Sequence, residues 1–143
     1  MLIDAPTLQK WAFALYLAGE ARRMERELER WNVSLSPMNR AHPVPQPAFS
    51  IWDAAKARTA ASAAFDAIVG DRKGSYAIPA PGAVGVWRVA SHHTFPVRVV
   101  DVSHGYLGGY VERLDDPACF RCKRPHYRLE DWSPFIPLEE TNV

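Results

Sequence analysis

An α+β fold is predicted: two N-terminal helices forming a hairpin, then a small antiparallel β-barrel or meander. Three observations carry this. Apolar residues recur at spacings of three and four through the first thirty positions, with no Gly or Pro between Thr7 and Ala18. Residues 51–69 form a second, alanine-rich stretch bounded by Ser50 and Gly70. From residue 83 onward, short runs of β-branched and aromatic residues alternate with turn residues. The organisation read from these is a helical hairpin over 1–70, a linker over 71–82 and a β subdomain over 83–143.

The first helix starts at Asp4 and Pro6, because proline is tolerated in a first turn where its missing N–H has no partner to lose. Leu8, Trp11, Leu15 and Ala18 make one apolar stripe. Leu17, Ala21, Met24, Leu28 and Trp31 make a second, narrower seam. Arg22, Arg23, Glu25, Arg26, Glu27, Glu29 and Arg30 occupy the remaining surface. At 1.5 Å per residue the helix is about 38 Å long, more than a small core requires. The seam therefore wants a partner. Packing on the second helix is the favoured reading, and homo-oligomer formation through the first helix stands beside it.

SLSPMNRAHPVPQPAFS follows. Pro37, Pro43, Pro45 and Pro47 end the helix and hold the connector, residues 34–49, extended. Ser50 and Asp53 then form a capping box, and Gly70 supplies the C-cap of the second helix. Ile51, Ala54, Ala61, Phe65 and Ile68 fall near one face. The small alanines allow another element to approach closely. Two helices joined by this connector form an antiparallel hairpin.

The strands are AVGVWRVA, TFPVRVVDV, GYLGGYVERL and HYRL, with RLEDWSPFIP as a closing strand. Phe95, Val97 and Val99 alternate with Pro96 and Arg98, the period of a half-buried strand. Ser103, His104 and Gly105 turn this strand back as a hairpin. The stretch TFPVRVVDVSHGYLGGYVERL, residues 94–114, resembles the central hairpin of SH3-like small barrels of the Tudor kind. The resemblance implies an SH3-like β subdomain and a binding module rather than a catalyst.

The chain has 143 residues, 48% of them apolar and 23% charged, enough for a core without covalent staples. A net charge of +1 argues against a protein that coats nucleic acid through its whole surface. Asp4 precedes the first apolar run, and the uncharged run from Trp11 to Gly19 is too short to span a bilayer. A cytoplasmic protein without a membrane partner is expected.

The most specific chemistry lies in DPACFRCKRPHY. Cys119 and Cys122 present two thiols at C-x2-C spacing, and His126 adds an imidazole. Arg121, Lys123 and Arg124 favour thiolates there. A structural zinc is one reading, unliganded thiols a second and a redox pair a third. A fourth zinc ligand would have to come from His42, His92, His93 or His104. No other cofactor is expected. Phe120, Arg121, Lys123, Arg124, Tyr127 and Arg128 interleave cations with aromatics, as a protein partner or single-stranded nucleic acid would want. Arg98 joins this candidate contact set. Asp115, Asp116, Glu130 and Asp131 bracket the cluster and partly neutralise it. No G-x-S-x-G, P-loop, G-x-G-x-x-G or H-E-x-x-H motif occurs. The function expected is non-enzymatic binding through protein–protein contacts, as an adaptor or inhibitor of the kind phages and mobile elements encode. Nucleic-acid binding through loop 120–128 and a structural zinc protein are the alternatives.

Overall fold

The computed structural model describes residues 3–36, 38, 44–74, 78–88, 94–102, 109–116 and 132–138, and the backbone of Cys122 and Lys123. Helix α1 runs over Ala5–Ser34 and helix α2 over Ile51–Val69. Strands β1 (Val84–Arg88), β2 (Thr94–Asp101), β3 (Tyr110–Arg113), β4 (Cys122–Lys123) and β5 (Phe135–Pro137) follow.

Both helix starts are built as the sequence predicts. Asp4 accepts a hydrogen bond from the Thr7 backbone N–H at 2.7 Å, with Pro6 in the first turn. Ser50 and Asp53 cap α2 reciprocally, at 3.2 Å and 2.8 Å. Gly70 ends α2 at φ 59°, a backbone conformation that L side chains resist.

The helices are antiparallel. Trp11 meets Phe65 edge-to-face at 5.1 Å between ring centroids, and further along Glu25 meets Arg58, so rising numbers on α1 face falling numbers on α2. Trp11, Ala14, Ala18 and Ala21 are the buried residues of α1, and Ala54, Ala61, Phe65 and Val69 the buried apolar residues of α2. Alanine at these positions lets the two backbones come close, while Phe65 fills the space beside Trp11. Burying a side chain such as Phe65 contributes about 1.5–3 kcal/mol. Of the predicted faces, Trp11, Ala18, Ala54, Ala61 and Phe65 are buried, with Leu15 and Ile68 packed beside them. Leu8 and Ile51 are exposed, because the arc turned inward on each helix is centred on the alanines. Helix α1 packs along α2, and of the second seam Ala21 is fully buried.

The five strands form one antiparallel sheet in the order β4-β3-β2-β1-β5. The pleat sends alternate side chains to two cores. Val86, Ile136 and Leu138 join the helices. Trp87, Phe95, Val97, Val99, Val111, Trp132 and Phe135 pack on the opposite face, where Trp87 and Trp132 meet edge-to-face at 6.0 Å. Helix α2 is fixed to the sheet by Ser62 and Asp66, one turn apart. The Ser62 hydroxyl accepts from the Thr94 backbone N–H at 3.2 Å, and Asp66 accepts from Arg88 at 2.7 Å and from the Thr94 hydroxyl at 3.1 Å.

The α+β class, the helical hairpin and the antiparallel sheet are thus as predicted. Closure into a barrel is not seen: β4 and β5 sit at opposite ends of the strand order, and among the described residues they do not pair, so the sheet is open. With helices on one face and Trp132 on the other, both faces find cover without closure. Of the predicted segments, HYRL and the turn at 103–105 lie outside the described residues.

Candidate functional site

Among the described residues, the apolar packing of sheet on hairpin is concentrated in one half of it. The core shared with Val86, Ile136 and Leu138 takes residues from Trp11 to Ala18 of α1 and from Ala61 to Val69 of α2. Beyond this region stands a network of ion pairs, and beyond the network an open groove.

The network is centred on two consecutive carboxylates after β3. The side chain of Asp115 is 0% exposed and that of Asp116 1%. Asp115 accepts from two arginines: from Arg58 Nη1 at 3.2 Å, and from Arg113 Nη2 and Nε at 2.8 and 2.9 Å. Asp116 accepts from Arg22 Nε at 2.6 Å and Arg26 Nη1 at 2.9 Å. Arg58 also grips Glu25 with a two-pronged contact, at 2.9 and 3.0 Å, and Arg22 lies 3.6 Å from Glu29. Burial alone would push the Arg58 pKa down, but Glu25 and Asp115 outweigh it and hold the guanidinium above its ordinary value. Burial, Asp116, Glu29 and Glu25 act on Arg22 in the same way, again with a net rise. The guanidinium of Arg113 also covers the Phe95 ring at 4.4 Å. Asp115 and Asp116 therefore bind arginines of the helices and of β3. The side chains of the basic loop, which the sequence places next to these carboxylates, lie outside the described residues.

The groove has a volume of about 900 Å³. One wall is α1 from Glu25 to Asn32, the other α2 from Ile51 to Thr59, and Gln46, Pro47 and Phe49 of the connector close it. Leu28, Trp31, Phe49, Ile51 and Ala54 give it an apolar lining, and Arg58 stands among the lining residues. Around this end, Trp52 is 76% exposed, Ile51 69%, Val33 60% and Leu35 57%. Large apolar side chains concentrated this way mark contact surfaces. The local sequence explains the shape. Pro37, Pro43, Pro45 and Pro47 keep the connector from continuing either helix.

The predicted site residues are distributed differently. Arg98 lies on β2 with its guanidinium held by Glu112, its cross-strand neighbour on β3. Cys122 and Lys123 lie in edge strand β4, where Cys122 pairs with Val111 and Lys123 with Tyr110. Cys119, Phe120, Arg121, Arg124, His126, Tyr127 and Arg128 lie outside the described residues, as do His42, His92, His93 and His104. Among the described residues, no group of three His, Cys, Asp or Glu side chains could hold a metal ion. No helix among them is long and apolar enough to cross a membrane. The groove itself was not foreseen. Its signals were the pair Ile51-Trp52 directly after a proline-rich connector, and the far end of the α1 seam, Leu28 and Trp31.

Comparison with family models, with curated proteins and with solved structures returns no match for this chain.

Proposed function

We propose that this is a non-enzymatic binding protein that docks on another polypeptide through the groove at the open end of its helical hairpin. The observation that carries the reading is an apolar, solvent-facing groove whose neighbouring buried charges are already matched. Glu25, Glu29, Asp115 and Asp116 are paired with Arg22, Arg26, Arg58 and Arg113. Such a site offers contact area and shape: of its two lining carboxylates, Glu25 is held by Arg58, and Glu29, 3.6 Å from Arg22, keeps 65% of its side chain exposed. Two helices with a groove between them receive an apolar helical ridge, the packing mode that completes a bundle.

A photo-crosslinking residue tests this directly. Thr59 lines the groove and is exposed; Ala63, one turn further along α2, is exposed and does not line it. With a benzophenone side chain at position 59 of the full chain, illumination in cell extract is expected to give covalent adducts with a polypeptide. The same group at position 63 is expected to give few. Absence of any polypeptide adduct at position 59, the chain itself included, overturns the reading.

A further inference from the structure

We infer that the polypeptide received by the groove is a second copy of this chain, bound about a two-fold axis so that each Trp52 enters the other copy's groove. The inference rests on the docking reading above and names its partner.

A two-fold interface must be self-complementary, with projection and recess on the same patch. This patch has both. Trp52 and Ile51 project from the first turn of α2, and the recess begins beside them, with Ile51, Ala54 and Ala55 in its wall. A ridge and a recess side by side on one element satisfy two copies at once.

The charges fit as well. Lys56 follows Trp52 by one turn, so the two share a face of α2. Lys56 is exposed. Across the groove, Glu25 and Glu29 follow one another by a turn along α1, and the Glu29 side chain is 65% exposed. When Trp52 enters the partner's groove, Lys56 follows it along the row that carries Glu29. The tryptophan meets apolar wall and the cation meets a carboxylate, twice over by symmetry.

The area is adequate. With about 150–250 Å² for a large aromatic side chain, the exposed parts of Trp52, Ile51, Val33 and Leu35 amount to roughly 500 Å². Together with the groove walls of both copies, roughly 1,200–1,500 Å² would be buried, within the range of specific, stable interfaces.

Sedimentation equilibrium of the full chain tests the proposal. The wild-type protein is expected to be a dimer. Trp52→Glu is expected to weaken dimerisation at least tenfold with the helical circular dichroism unchanged, since Trp52 contributes little to its own chain's core. Glu29→Lys and Lys56→Glu should each weaken the dimer, and the two together should restore it. Tyr16→Glu, on the outward face of α1, should leave it unchanged. A dimer that survives Trp52→Glu overturns the proposal. A monomer that still crosslinks through position 59 to a different polypeptide overturns the second copy and leaves the docking reading standing. A monomer without adducts overturns both.

Discussion

Arg58 on α2 donates to Asp115, just beyond β3, across 57 positions of sequence at 3.2 Å. Asp115 is simultaneously gripped by Arg113, and Arg58 by Glu25 of α1. One contact thus ties both helices to the end of the sheet. Its strength comes from the alternative: removing the carboxylate would take both contacts from Arg113 and leave the buried Arg58 with Glu25 alone. Asp115→Ala is expected to destabilise the fold by about 3–5 kcal/mol. Asp116→Ala should cost less, because Arg22 and Arg26 reach water more easily. In urea denaturation, Arg58→Ala combined with Asp115→Ala should cost clearly less than the sum of the two single variants. Simple additivity would show that the pair is not coupled.

Two glycines should respond oppositely to alanine. Gly85 pairs with Pro137 across β1 and β5, and a Cβ there would run into the backbone of Ile136 and Pro137. Backbone cannot swing aside, so Gly85→Ala should loosen β5 and lower the melting temperature. Gly19 is inside α1 with nothing within 4 Å of an added Cβ. Gly19→Ala should stabilise the protein by roughly 0.5–1 kcal/mol through the entropy of the unfolded chain. Thermal melts of the two variants should shift in opposite directions.

Local signals were the legible part of this sequence. Caps at Asp4, Ser50 and Gly70, and the alternation of Phe95, Val97 and Val99, depend on neighbours a few residues away, and all are found in the structure. The rotation of the helices was harder to read. Leu8 and Ile51 are apolar, and only the position of the other helix decides that they stay exposed while Ala14 turns inward. The network was not legible at all. Arg113 is two positions from Asp115, but Arg22, Arg26 and Arg58, which join the same carboxylates, are 57 to 94 positions away. The groove was hidden for the same reason, since it is a space between α1 and α2 rather than a property of either.

The helix starts carry a pH dependence of known sign. Hydrogen bonds from Thr7 lower the pKa of Asp4, and those from Ser50 lower that of Asp53. A carboxylate with a depressed folded-state pKa contributes stability above its unfolded pKa and loses it as pH falls through the folded one. Helical content is therefore expected to be flat from neutral pH down to the ordinary carboxylate range and to decline below it. Asp4→Asn and Asp53→Asn variants should show a flatter acid limb, followed by circular dichroism. An unchanged limb in both would show that the caps titrate without consequence.

Cys119, Cys122 and His126 bring a last prediction. A structural zinc is four-coordinate, and this segment supplies three donors in sequence. The fourth would have to be carried to it from His42, His92, His93 or His104. Strand β4, which contains Cys122, is two residues long and lies at the edge of the sheet, where a bound metal would be a large share of its anchorage. Zinc bound there would add its binding free energy to the folding of that edge, and a chelator would remove it. We expect the other outcome, unliganded thiols that behave as small apolar side chains. Protein purified without added metal should contain well under one zinc per chain. A chelator should leave the near-ultraviolet signal of Trp87 and Trp132 unchanged, because these rings sit in the core beneath the sheet. Cys119→Ser should be close to neutral in thermal stability. About one zinc per chain, lost together with that tryptophan signal on chelation, would establish the metal site instead.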